Sequence, residues 1–182
     1  MALSVLVGPL AWAVGDGTAN SNTASETSLL LGTAASGKWA MPGGFFIAPG
    51  QTIRITATLR LTTTTGTNNS TFKVKIGSVA VATSPTFVNQ ASQTNLTMRL
   101  TWLLTLRAVG DGTSANFMHV GTYTGAAVSA TNQINPIPAT APAVGTGFDS
   151  STAATLDLTH TWSAASASNS MTLHQYVLES VV

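Results

Sequence analysis

Gln51-Thr52-Ile53-Arg54-Ile55-Thr56-Ala57-Thr58-Leu59-Arg60-Leu61 is the stretch that decides the fold. Ile53, Ile55, Ala57, Leu59 and Leu61 fall on one face, and Thr52, Arg54, Thr56, Thr58 and Arg60 on the other. A period of two with β-branched residues on both faces is a half-buried strand, since no helix could gather these apolar positions into one stripe. Beyond it, Thr62 to Thr65 lead into Gly66-Thr67-Asn68-Asn69, a cluster suited to a turn. Phe72, Val74 and Ile76 then alternate with Lys73 and Lys75. Two alternating runs joined by a short Gly/Asn loop predict an antiparallel hairpin.

The same pattern recurs downstream. Leu96, Met98, Leu100, Trp102, Leu104 and Leu106 alternate with Thr97, Arg99, Thr101, Leu103, Thr105 and Arg107. Gly110-Asp111-Gly112 turns the chain into Asn116-Phe117-Met118-His119-Val120, and Asp-Gly between alternating runs is a strong hairpin signal. Further strands are expected at Thr27–Leu31, Phe45–Ile47, Ala154–Trp162 and Met171–Val181, with Ser163–Ser170 a small polar linker. Pro136, Pro138 and Pro142 mark 135–147 as a loop that cannot join a central strand. Short strands separated by Gly, Pro and Asn turns predict an all-β antiparallel β-sandwich of jelly-roll type. The expected organisation is an extended N-terminal arm at 1–22 and one domain at 23–182.

Composition narrows the function. Across 182 residues only 7% are charged, against about 25% in an ordinary soluble domain. Hydrophobic residues are 44% and mean hydropathy is +0.28, so the chain is not a disordered polar one. Thr and Ser fill 48 positions and take the surface that Lys and Glu usually cover. Such a surface suits a protein packed against other chains. A net charge of +1 gives no field for nucleic acid, and the absence of Cys removes disulfides, thiolate zinc sites and thiol catalysis. No run is long enough for an apolar transmembrane helix. Met1 to Val14 is apolar, but no Lys or Arg precedes its apolar stretch as a secretory leader requires, so it reads as an arm or a first strand.

The titratable groups are few enough to take one by one. Asp16 and Asp111 sit in Gly-Asp-Gly turns, within an Ala-Val-Gly-Asp-Gly-Thr sequence found at 13–18 and again at 108–113. Their flanks differ, so this is one turn solution used twice. No acids are paired by strand or helix spacing, as glycoside hydrolysis would need. His119, His160 and His174 are isolated, without a metal-binding spacing, and no Gly-x-Ser-x-Gly elbow or phosphate-binding loop occurs. His160 is in phase with Leu156, Leu158 and Trp162, as a hydrogen-bonded histidine near the core edge would be. No catalytic residue, cofactor or metal is expected. The Asn-x-Ser/Thr matches at Asn68, Asn69 and Asn95 are what so much Ser and Thr produces by chance.

Two surfaces stand out as partner-binding candidates. If the first hairpin forms, Arg54, Arg60, Lys73 and Lys75 project from one face, either as a solvated surface or as a docking site for an acidic partner. Leu103 and Phe117, with His119, are candidates for an apolar outer face on the second hairpin, which a second protein would cover. Of the four tryptophans, Trp102 and Trp162 are in phase with the core. Trp39 is the one expected in solvent.

Three segments carry a resemblance. Glu26-Thr27-Ser28-Leu29-Leu30-Leu31 is the first, and Phe45-Phe46-Ile47-Ala48-Pro49-Gly50-Gln51-Thr52-Ile53-Arg54-Ile55 the second. The third is Phe72-Lys73-Val74-Lys75-Ile76-Gly77, and the closing Leu173-His174-Gln175-Tyr176-Val177-Leu178-Glu179 extends it. The order of corners and strands resembles the jelly-roll virion proteins of tailed bacteriophages, over roughly residues 23–181. The Pro-bearing loop and the apolar arm depart from that pattern. The resemblance implies a non-enzymatic capsid decoration (cement) protein, a head fibre or a small tail-surface protein, commonly a trimeric homo-oligomer, with decoration of the capsid surface the leading expectation. Its partners would be the major capsid protein or other virion proteins, with no nucleic acid and no membrane. A tail- or fibre-associated carbohydrate- or receptor-binding module is the alternative.

Overall fold

A computed structural model describes residues 8–30, 37–66, 68–125 and 133–181. The strands are β1 (Gly8–Trp12), β2 (Asn20–Ser21), β3 (Thr27–Ser28), β4 (Trp39–Met41), β5 (Thr52–Thr62), β6 (Asn68–Ile76) and β7 (Val79–Thr83). They continue as β8 (Phe87–Asn89), β9 (Leu96–Ala108), β10 (Asn116–Gly125), β11 (Gln133–Ile137), β12 (Ala154–Trp162) and β13 (Ser170–Ser180). One sheet runs β1-β13-β5-β9-β10-β11, with β2 also paired to β13. The other runs β3-β12-β6-β7, with β4 on β12 and β8 on β6. Every pairing is antiparallel, and the result is a jelly-roll-like β-sandwich.

The core is built by the alternation that defines the strands. Ile53, Ile55, Ala57, Leu59 and Leu61 of β5 are buried beside Met98, Leu100, Trp102, Leu104 and Leu106 of β9. On the second sheet Phe72, Val74 and Ile76 of β6 lie beside Leu156, Leu158 and Trp162 of β12. Each large apolar side chain taken fully out of water contributes about 1.5–3 kcal/mol. Gly121 helps to seat Trp102, because a Cβ there would run into the Thr101 carbonyl oxygen and the Trp102 ring.

The expected first hairpin does not form. β5 pairs with β13 and β9, while β6 pairs with β12, β7 and β8, so the two runs face each other across the core. Residues 63–66 begin a corner between the sheets, where Thr63 Oγ1 donates to the Gln90 carbonyl and the Thr64 amide to Asn169 Oδ1. Alternation is equally satisfied by either partner, and burial of both apolar faces selects the crossing. The second hairpin does form, from Thr124↔Arg99 to Asn116↔Ala108, with a bulge at Asn116/Phe117. Its turn uses Gly112 at φ +60°, and the Ser114 amide donates to the Asp111 carbonyl.

Smaller differences follow from edges and ends. Phe45–Ile47 is irregular, held by the Gln51 side chain, whose Oε1 accepts from the Ile47 and Ala48 amides. The strand at Thr27 stops at Ser28, and Leu31 lies outside the described residues. The loop expected at 135–147 begins later, since residues through Ile137 belong to β11, an edge strand where Pro136 costs no interior ladder bond. Residues 8–21 of the expected arm are built into the sandwich, with Trp12 opposite Val177 and Asn20 opposite Met171. Residues 1–7 lie outside the described residues.

His160 ties the two sheets together. Asn20 Nδ2 donates to its Nδ1 at 3.0 Å and to its carbonyl oxygen at 2.9 Å. Nδ1 is therefore an acceptor, and the ring proton sits on Nε2, which donates to Ser70 Oγ at 3.0 Å. Asn89 Nδ2 donates to the same hydroxyl at 2.7 Å, and Trp162 Nε1 donates to the Asn20 carbonyl at 2.9 Å. Burial of this neutral ring pushes its pKa from 6.5 down to about 3.

The unfolded chain takes up the His160 proton as pH falls below 6.5, and the folded chain only near 3, so acid removes stability across that window. The slope for one proton is about 1.4 kcal/mol per pH unit. Glu26, held at about 2, adds its own loss only below its ordinary 4.5. Denaturant unfolding between pH 6.5 and 4.5 is expected to show falling stability, and His160→Gln to flatten most of that slope. An unchanged slope would contradict a neutral buried His160.

Candidate functional site

The four cations expected on one face stand on opposite faces of the molecule. Arg54 and Arg60 leave the outer face of the sheet containing β5, and Lys73 and Lys75 that of the sheet containing β6. Three of them are also ion-paired, with two acids between them. Arg54 Nε lies 2.8 Å from Glu179 Oε1, and Glu26 bridges Lys73 Nζ at 2.7 Å and Lys75 Nζ at 2.9 Å. Burial works to raise the Glu26 carboxyl, and the hydrogen bonds and charges of the two lysines outweigh it, holding it at about 2. β5 and β6 lie in different sheets, so these four cations do not form one basic docking surface.

The apolar pair divides in the same way. Leu103 is on the outer face, half-buried between Arg54 and Val120. Phe117 points inward and is fully buried, stacked on Phe148 at 4.9 Å and edge-on to Phe46 at 5.1 Å. The bulge at Asn116/Phe117 resets the register by one residue, which reverses every side chain that follows. His119 turns inward with it, where Nδ1 accepts from Trp102 Nε1 at 3.2 Å and burial lowers its pKa. Trp39 is buried as well, 4.6 Å from Phe45 in an edge contact.

Trp12 is the exposed tryptophan, with 54% of its surface in solvent. β1 sets it at the head of a row across the outer face: Trp12, Val177, Thr56, Thr101, Thr122 and Pro136, each opposite the next. One step along the strands runs a second row, Gln175, Thr58, Arg99, Thr124 and Ile134. Between them lies a groove of about 540 Å³ lined by Trp12, Thr56, Thr58, Arg99, Gln175 and Val177. Trp12 also walls a smaller groove of about 280 Å³ with Leu10, Val14, Gly37 and Lys38.

The chemistry of the larger groove is mixed. Trp12 and Val177 offer an apolar surface, and the threonines offer hydroxyls. Thr58 Oγ1 donates to Gln175 Oε1 at 3.2 Å, which leaves the Gln175 amide nitrogen as a donor toward solvent. Arg99 is exposed, and no acid pairs with it among the described residues. An aromatic plate beside a grid of hydroxyl, amide and guanidinium groups is suited to a ligand that is apolar on one face and hydroxyl-rich at its rim. Sequence reasoning passed over Trp12 because it lies in a wholly apolar run, Leu10 to Val14, whose alternation does not say which side faces out.

Other chemistry does not assemble. Among the described residues, no three His, Asp or Glu side chains converge to hold a metal ion. His174 Nδ1 is 2.6 Å from Asp16 Oδ1 at the bulge in β13. Asp157 accepts from Ser28 Oγ at 2.6 Å and pairs with Lys38 Nζ at 2.9 Å. No described helix is long and apolar enough to cross a membrane.

The molecule is thus an all-β sandwich with an aromatic-and-polar groove on one outer face. No family model matches the chain, and no curated protein does. Among solved structures it is similar to the CBM2 module of the evolved Dit of Lactobacillus casei BL23 phage J-1. That match has 9% identity, covers 80% of this chain and 69% of that one, and has a TM-score of 0.36. It is also similar to the alginate lyase Aly36B with an alginate trisaccharide bound, at 11% identity, covering 93% and 100%, with a TM-score of 0.25. At these values neither likeness carries a function, which rests on the site itself.

Opposite orientations for Leu103 and Phe117 give opposite costs. Phe117→Ala is expected to destabilise by about 3–5 kcal/mol, as for a large aromatic removed from a packed core. Leu103→Thr, on the outer face, is expected to cost under about 1 kcal/mol. Chemical denaturation of the two variants checks the pair, and equal losses would contradict the register described.

Proposed function

We propose that the chain is a non-catalytic carbohydrate-binding module of a phage virion, which holds a glycan in the groove beside Trp12. The exposure of Trp12 over a groove edged with hydroxyl and amide groups is the observation that carries this reading. A pyranose ring is apolar across its C–H face and polar at its rim, so it can stack on the indole while its hydroxyls meet Thr56, Thr58 and Gln175. The assignment to a virion draws on the resemblance in sequence to phage jelly-roll proteins and on the low charge content, which suits a chain held among others. A tail or fibre is the natural position for such a module. Capsid decoration is the weaker reading because the basic surface proposed for docking is divided between two faces and largely paired.

Because Trp39, Trp102 and Trp162 are buried, Trp12 dominates the response of tryptophan fluorescence to solvent and ligand. A panel of bacterial cell-wall and capsular polysaccharides is expected to include a ligand that shifts this emission saturably. Trp12→Ala is expected to abolish the shift and lower affinity at least about tenfold while leaving the unfolding midpoint near that of the parent. Saturable binding to undecorated phage heads with no response to any glycan would overturn the proposal in favour of decoration.

A further inference from the structure

The charges of the described residues are arranged unevenly. Lys38, Arg54, Lys73 and Lys75 are all paired with acids. Arg60, Arg99 and Arg107 are not, and all three leave the outer face of β5 and β9, the face that carries the groove. Arg99 lines the groove itself. Arg60 is opposite Thr97 and Thr58 opposite Arg99, so the two guanidiniums are diagonal neighbours, with Cα atoms about 7–8 Å apart. The acids of this face are engaged elsewhere: Glu179 with Arg54 and Asp16 with His174. The groove therefore combines a stacking plate with Arg99, and Arg60 lies diagonally beside Arg99 on the same face; neither has a counter-charge among the described residues.

We infer that the glycan held beside Trp12 is acidic, a uronate-bearing polysaccharide whose carboxylates pair with Arg99 and Arg60; this rests on the carbohydrate-binding reading above. The arrangement suits monoanions repeated along a chain. A guanidinium presents its N–H groups as a planar fork that matches a carboxylate. The two forks are spread along the sheet, whereas a terminal phosphate dianion calls for donors that converge on one point, and a chain of phosphodiester monoanions is the competing source of charge that the test separates. Trp12 is separated from Arg99 by three strand spacings, roughly 14 Å, so stacking and charge pairing engage different sugars of one oligosaccharide.

The test is titration of the purified chain with polygalacturonate, with the same polymer after reduction of its carboxyl groups, and with a teichoic acid as a phosphate-bearing control. Polygalacturonate is expected to bind at least roughly tenfold more tightly than its reduced form, and to weaken as salt rises. Arg99→Gln is expected to remove most of that tenfold preference for the charged polymer, whereas Trp12→Ala weakens binding of both polymers. Arg60→Gln is expected to act in the same direction as Arg99→Gln and less strongly, and unfolding midpoints confirm that these exposed variants fold. Equal binding of both polymers with Arg99→Gln silent would overturn the acidic ligand and keep the glycan reading. Preference for teichoic acid over polygalacturonate would overturn the carboxylate. No response to any saccharide, with Trp12→Ala silent, would overturn the glycan reading itself.

Discussion

The crossing of β5 and β6 over one core is the constraint from which the rest of the molecule follows. Ile53, Ile55, Leu59 and Leu61 on one sheet and Phe72, Val74 and Ile76 on the other leave water by closing over a single core, and this puts the consecutive strands β5 and β6 in opposite sheets. Each then takes its sheet neighbours from distant parts of the chain, β13 and β9 for one and β12 for the other. The two strands that close the chain repeat the crossing, so β5 with β13 and β6 with β12 form interlocking pairs. The buried His160 network adds a polar tie between the layers, since Asn20 comes from one sheet and Ser70 from the other. Buried hydrogen-bonded groups of this kind specify an arrangement more than they add stability.

That crossing also decides what the surface can do. It sends Lys73 and Lys75 to one side of the sandwich, where Glu26 answers both. It sends Arg60 and Arg99 to the other, where no acid does. A chain with a net charge of +1 thus has one locally cationic face without being a basic protein. The edge strand β1 then sets Trp12 at the margin of the same face. The groove is assembled from β1, β5, β9 and β13, which are far apart in sequence.

The low charge content acquires a second meaning in this setting. Threonines of β5, β9 and β10 tile the outer face, offering hydroxyls without long mobile side chains. Little conformational entropy is lost when such groups meet a ligand. The same tiling discourages edge-to-edge association less than charge would, so the proposed virion setting and the proposed glycan-binding face make compatible demands on composition.

Residue order alone determined the elements: the strands at Gln51, Leu96, Ala154 and Met171 are legible because a period of two survives any choice of neighbour. It also determined the sandwich class and the Gly-Asp-Gly hairpin turn, and it put His160 only near the core edge where the structure buries it fully. Pairing was beyond its reach, since the run at Phe72 satisfies its alternation equally as a hairpin partner of β5 or as the facing wall of the core. Phe117 shows the same limit within one strand, where a single bulged residue exchanged inside for outside. Trp39 is buried and Trp12 exposed, since neither short run, Gly37 to Met41 or Leu10 to Val14, shows from its order which side faces the core. The site belongs to the tertiary structure, because long-range burial, which local pattern does not encode, brings β1, β5, β9 and β13 onto one face.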